Sequence, residues 1–132
     1  TWNTTGLDGL YSVQLVVVKN DPAGGPFIFE TSTIQVTVDN QPPAVSLLSP
    51  LPGSEYSLAE DESVVLQPQV QDNLSLSRVV FYVDGLAVTS ATVAPYSTRW
   101  KISTAGQHSI QVRAYDAAGN FTDSAPVTIT VK

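Results

Sequence analysis

The chain has 132 residues, 42% of them hydrophobic, enough for one ordinary domain plus a smaller piece, and no apolar run is long enough to cross a bilayer. A net charge of −6, with six Lys and Arg scattered singly, excludes the basic stripe that would neutralise nucleic-acid phosphates and disfavours anionic membrane surfaces. The lack of cysteine excludes disulfides and thiolate metal sites, and the acidic, Thr/Ser-rich composition leans towards an extracytoplasmic location.

The first forty residues restate the end of the chain. Trp2 opens WNTTGLDGLYSVQLVVV and Trp100 opens WKISTAGQHSIQVRAYD, and with one residue fewer after the second tryptophan Tyr11, Val13 and Leu15 meet His108, Ile110 and Val112 at a constant offset of 97. The closing segments TIQVTVDN (Thr33 to Asn40) and VTITVK (Val127 to Lys132) match as well. A tandem array is the simplest source of such self-similarity, and residues 1–41 are expected to be the last three strands of a truncated copy. Two or three strands alone are marginal in water. Val13, Leu15 and Val17 on one face, and Val16 and Val18 on the other, therefore need a cover. A homodimer through residues 1–41, by pairing of open edges or by strand swapping, is the expected one.

The joint VDNQPP, residues 38–43, holds consecutive prolines that favour an extended backbone. It predicts a stiff spacer, with only a residue or two between the strands it connects. The complete unit, residues 42–132, then shows period-two alternation throughout and no helical pattern. Val45 and Leu47 begin a strand ending at Ser49-Pro50, and a turn follows at Pro52-Gly53. Val64, Leu66 and Val70 share one side of a second strand, which Pro68 places at an edge or a bulge. Val79, Phe81 and Val83 alternate in RVVFYVDG, where Asp84-Gly85 signals a two-residue hairpin into a return strand with Leu86 and Val88. Tyr96, Thr98 and Trp100 make a fifth strand, His108 to Ala114 a sixth, and Val127, Ile129 and Val131 a seventh. Seven short strands with turns at such intervals specify an all-β fold, an immunoglobulin-like β-sandwich.

The pattern W-x-T-x(3)-DG-x-Y, ending in VTVDNQPP, together with RVVFYVDG, APYSTRW and AYDAAGN, resembles bacterial immunoglobulin-like repeats of secreted proteins. GLDGLYSVQLVVV followed by IQVTVDNQPP also resembles repeats placed after the transpeptidase region of peptidoglycan glycosyltransferases, the class A penicillin-binding proteins. What the resemblance implies is a non-catalytic accessory module of an envelope or secreted protein, whose partner is a protein or a cell-wall component.

Candidate chemistry is sparse. His108 is the one histidine, and its repeat equivalent is Tyr11, at the place where sandwiches carry a corner tyrosine bonded to backbone; a structural role is expected for it. The strings S-x-x-K, K-T-G and G-x-S-x-G, which would mark acyl-transfer enzymes, do not occur. Glu55, Glu60, Asp61 and Glu62 form an acidic loop, and Asp39-Asn40 with Asp116 resembles the calcium joints of cadherins. Turn formation by Asp and Asn side chains is the simpler role for these residues. Trp2 and Trp100 hold equivalent positions and are expected to pack against the core, whereas Tyr82 and Tyr115 face outward and would form an aromatic patch if their strands are neighbours. No catalytic residue, metal ligand or cofactor is assigned, and neither nucleic-acid binding nor membrane insertion of this segment is expected.

Overall fold

The computed structural model describes residues 1–19, 22–25 and 28–132, and the chain divides into two compact units, Thr1–Asn40 and Gln41–Lys132.

Unit 1 is one antiparallel hairpin, β1 (Gly9–Lys19) against β2 (Ile28–Val38), in unbroken register from Gly9 opposite Val38 to Lys19 opposite Ile28. Alternation sorts its faces. Tyr11, Val13, Leu15 and Val17 share one side of β1, while Ser12 and Gln14 lie opposite Gln35 and Thr33 on the other. Among its described residues only Val38 is buried. Leu15, Val16, Val18, Phe29 and Ile34 all remain more than half exposed, as expected of two strands with no second layer. The expected third strand is absent: residues 1–8 form a loop with a turn, closed by Leu7 N–H donating to the Thr4 carbonyl. Asn40 ties this loop down, its Nδ2 donating to the carbonyls of Thr4 and Leu7 at 2.7 Å each. A strand is a paired object, and among the described residues of unit 1 no strand pairs with the segment around Trp2.

Unit 2 is a two-layer sandwich. One sheet runs β3 (Ala44–Ser49), β5 (Ser63–Gln71), β8 (Thr98–Lys101). The other runs β4 (Glu55–Tyr56), β11 (Val127–Val131), β9 (Gly106–Asp116), β6 (Leu76–Val83), β7 (Leu86–Ala91), with β10 (Phe121–Asp123) also on β9. The seven expected strands are all present; β4 and β10 are additional, and at two and three residues they are too short to show a period. Tyr96 lies outside β8, at φ +57 in the preceding turn, because that turn must reverse the chain before pairing with β5 can begin. Five residues, Asp39–Pro43, connect β2 to β3, more than the one or two expected.

Strict alternation builds the core. Val64 and Leu66 from β5, Val79 and Phe81 from β6, Ile110, Val112 and Ala114 from β9, and Ile129 from β11 are wholly buried. Fully burying one such aliphatic or aromatic side chain contributes about 1.5–3 kcal/mol. Pro68 sits where the sequence places it. It is buried on β5 opposite Leu47, beyond the end of the β8 pairing, and the register between β3 and β5 slips there so that Leu48 is the extra residue. A residue without an N–H costs no ladder bond where the ladder is already broken. Asp84 and Gly85, at φ +52 and +79, form the tight β6–β7 turn that an Asp-Gly pair favours.

The sequence repeat reappears as geometry. The bounds of β1 and β9 differ by 97 at both ends, and each strand starts at a glycine of positive φ, Gly9 at +114 and Gly106 at +132. Gly9 pairs with Val38 as Gly106 pairs with Val131, and Val13 faces Ile34 as Ile110 faces Val127. In unit 1 the unbroken β2 borders the whole of β1; in unit 2 the same length of β9 is shared between β11 and β10.

Candidate functional site

Two clusters of unit 2 bring polar or aromatic side chains together, and the first surrounds His108. The alternation that buries Ile110 and Val112 also buries His108, at 7% exposure, at the start of β9. Its Nδ1 lies 2.7 Å from Asp84 Oδ2, and its Nε2 lies 3.1 Å from the Thr104 carbonyl. Asp84 reaches it from the β6–β7 turn, and Asp84 Oδ1 also accepts the Ser109 N–H at 2.8 Å. Trp100 closes the remaining side edge-on, with ring centroids 5.0 Å apart. Both ring nitrogens therefore face acceptors, an arrangement that the imidazolium satisfies best because it carries two N–H donors. The hydrogen bond to Asp84 raises the His108 pKa against the opposing effect of burial, and the His108 and Ser109 donors hold the Asp84 carboxyl below its usual range.

An Asp-His pair with a hydroxyl nearby invites comparison with a catalytic triad, since Thr104 Oγ1 lies 3.5 Å from Nε2. General-base catalysis needs Nε2 as an acceptor pointed at that hydroxyl. Here Nε2 donates to a backbone carbonyl and the ring is shielded by Trp100. The cluster is a strand corner. Tyr11 plays the same part in unit 1: its hydroxyl donates to the Asp8 carbonyl at 3.3 Å, and Trp2 meets its ring edge-on at 5.7 Å. The two tryptophans differ in outcome, however. Trp100 is half-buried and packs on the core, as expected, whereas Trp2 is 46% exposed because its unit offers no core to pack against.

The second cluster lies on the outer face of the larger sheet. Strands β6 and β9 are neighbours, but Tyr82 and Tyr115 do not meet. The register sets Arg78 opposite Tyr115, Val80 opposite Arg113 and Tyr82 opposite Gln111, so a whole row separates the two tyrosines. On the other side, β10 places Phe121 beside Tyr115 and Asp123 beside Arg113. The result is a strip of alternating cations and rings. The Arg78 guanidinium lies 4.4 Å from the Tyr115 centroid, Tyr115 and Phe121 are 5.6 Å apart, and Arg113 lies 4.3 Å from Phe121 and 5.9 Å from Tyr82. Asp123 fixes Arg113 in a bidentate pair at 2.7 and 2.8 Å, which lowers the Asp123 pKa and raises that of Arg113. Phe121 is 49% exposed and Arg78 is exposed, so the strip is open to solvent. Arg78, Arg113 and Phe121 were not foreseen. Shared parity within SRVVFYV and QVRAYD was visible, but the register joining those strands was not.

The acidic residues separate. Glu55 pairs with Lys132 at 2.6 Å, and Asp61 accepts the Ser57 N–H at 2.7 Å. Glu60, Asp61 and Glu62 line a groove of about 540 Å³ together with Arg99 and Lys101. Asp116 ends β9 buried, its Oδ1 accepting the Gly119 and Asn120 N–H groups at 2.6 and 2.8 Å, and its Oδ2 accepting Asn120 Nδ2 at 2.7 Å. Asp72 Oδ2 accepts the Leu74 and Ser75 N–H groups, while its Oδ1 is buried without a hydrogen-bond partner among the described residues. Carboxylate oxygens of Asp72 and Asp116 lie within 4.8 Å of one another.

No helix among the described residues is long and apolar enough to cross a membrane. Comparison with curated proteins gave no match. Among solved structures, the chain is similar to the fibronectin(III)-like modules of Clostridium thermocellum CbhA, at 22% identity and a TM-score of 0.62, over 67% of this chain and 96% of that one. It is also similar to an engineered protein at 18% identity and a TM-score of 0.51, over 68% of this chain and 20% of that one. These likenesses fix the fold as an immunoglobulin/fibronectin-type sandwich. The family model for the bacterial Ig domain matches residues 43–112, more than half of the chain, and the protein belongs to that family.

Proposed function

We propose that this chain is a non-catalytic structural and interaction module of a secreted or cell-envelope bacterial protein, and that it makes its contacts through the outer face of the β6–β9–β10 layer. The observation that carries this reading is the exposed Arg78–Tyr115–Phe121–Arg113–Tyr82 strip. Aromatic rings and arginine are the side chains that supply most contact energy at protein interfaces. Asp84 and His108, by contrast, lock a corner, and Asp123 holds Arg113 in place within the strip. Bacterial Ig and fibronectin(III)-like domains are generally non-catalytic and commonly extracellular, which supports an extracytoplasmic setting. The likeness of residues 6–43 to repeats of peptidoglycan glycosyltransferases points to such an enzyme as the parent, with a cell-wall component as partner. Residues 1–41 are on this reading the back half of a preceding repeat, supported by the matching register of β1–β2 and β9–β11. Retention on purified peptidoglycan sacculi tests the partner. The wild-type chain is expected to be retained and the Arg78→Ala/Phe121→Ala double variant released; a wild-type chain that washes through would sink the cell-wall assignment.

The second reading is cation-dependent adhesion, favoured by the orphaned buried Oδ1 of Asp72 beside Asp116. A hard cation satisfies such an oxygen. Calcium would then raise the melting temperature of the wild type and not that of Asp72→Asn, and equal melting with and without calcium would remove this reading.

A further inference from the structure

The hairpin of unit 1 has an apolar face and an open edge that its own unit leaves bare. Val13, Leu15 and Val17 are 37%, 62% and 38% exposed. Their equivalents at the constant offset of 97, Ile110, Val112 and Ala114, are fully buried in unit 2. The difference has a visible cause. In unit 2 the edge of β9 is taken by antiparallel β6, which sets Val83 opposite Ile110, Phe81 opposite Val112 and Val79 opposite Ala114. The face of the same strand is covered by the β3–β5–β8 layer.

We propose that β1 is an acceptor for an antiparallel strand of β6's pattern, with apolar residues at three alternate positions facing Val13, Leu15 and Val17, and that the occupant is the front half of a repeat of this same type. The proposal rests on reading residues 1–41 as a back half. A front half fits three features at once. It supplies a β6-type strand for the open edge and a β3–β5-type layer for the bare face. It also supplies a ladder for the segment around Trp2, whose counterpart Trp100 lies on β8 paired with Val64 of β5. A second copy paired edge to edge through β1 would fill that edge but leave the apolar face bare, and one laid face to face would cover the face but leave the edge open; neither pairs the Trp2 segment. A long, apolar open edge is a template for pairing with another strand.

Amide hydrogen exchange on the 132-residue chain provides the test. In one arm a synthetic peptide of residues 73–85 is added, with a control peptide carrying V79S, F81S and V83S. In the other arm the chain is extended by joining a copy of residues 41–99 ahead of Trp2. The expected result is at least tenfold slower exchange of the β1 amides facing the open edge, in the peptide arm, the extended chain or both, and no slowing with the control peptide. Unchanged β1 exchange in both arms overturns the proposal, and the peptide arm decides even if the extended chain does not fold. Protection of β1 in the chain alone that rises with protein concentration also overturns it, and makes a second copy the occupant. Either failure leaves the module reading of Gln41–Lys132 standing, because that is read from sacculus retention.

Discussion

The pair Val112→Ala and Leu15→Ala isolates what burial adds to an identical place in the repeat. Val112 and Leu15 stand 97 residues apart on β9 and β1, at 0% and 62% exposure. At about 0.8 kcal/mol per buried CH2, removing two carbons from fully buried Val112 costs about 1.6 kcal/mol in transfer alone, and about 2–3 kcal/mol once the cavity is counted. Leu15→Ala removes three carbons, yet with little more than a third of the side chain covered the same coefficient gives about 1 kcal/mol at most. The larger truncation should therefore be the milder one. Urea unfolding measures both: Trp100 fluorescence in a Trp2→Phe background reports Val112→Ala, and Trp2 fluorescence in a Trp100→Phe background reports Leu15→Ala. Val112→Ala is expected to lower the midpoint by the equivalent of about 2–3 kcal/mol without changing the slope, and Leu15→Ala to lower it by the equivalent of about 1 kcal/mol at most. A loss for Leu15→Ala as large as that for Val112→Ala would refute the reasoning, because it would place β1 in a packed core.

Three further outcomes are expected. The raised pKa of His108 makes its contribution fully present below 6.5 and lost as pH rises through its folded value, and the lowered pKa of Asp84 makes its contribution present above 3.8 and lost as pH falls through its folded value; the pair stabilises most between these limits. Asp84→Asn should lower the melting temperature most between these limits and weaken its fall above pH 6.5, modestly and less so at high salt because Asp84 is half exposed, and an unchanged profile would contradict the assignment. Ser124→Ala removes the buried hydroxyl that accepts the Val112 N–H at 3.1 Å and donates to the Ala125 carbonyl at 3.0 Å, so denaturant unfolding should show a loss of about 1–3 kcal/mol, and a neutral result would mean that water replaces it. Gly85→Ala meets no atom within 4 Å but must hold φ +79, so calorimetry should report a loss of about 1–2 kcal/mol from backbone strain alone.

Much of unit 2 was legible before any coordinate. Valine, isoleucine and leucine at alternate positions, punctuated by Asp-Gly and Pro-Gly turns, gave the seven main strands and their buried faces, and Pro68 marked an edge or a bulge, which is the bulge of β3 at Leu48 opposite it. The repeat predicted that His108 would do a corner's work. Its partner Asp84 was legible only as a turn residue, because a turn's sequence does not say which neighbouring strand its carboxylate will meet. Strands β4 and β10 escaped for a simpler reason, since two or three residues cannot display a period.

Local chemistry thus determined the elements of this protein: period-two side chains have one face to bury, and turn residues have one conformation to offer. Tertiary structure decided everything that depends on register or on a second layer. Register made Tyr82 and Tyr115 members of one strip with Arg113 between them and Arg78 at its end, because which residues oppose one another depends on how two distant strands align. The second layer decided that Val112 is core while Leu15 is surface, although the repeat gives them the same place. Burial belongs to the partner strands as much as to the residue, and the sequence of one strand cannot state who its partner is.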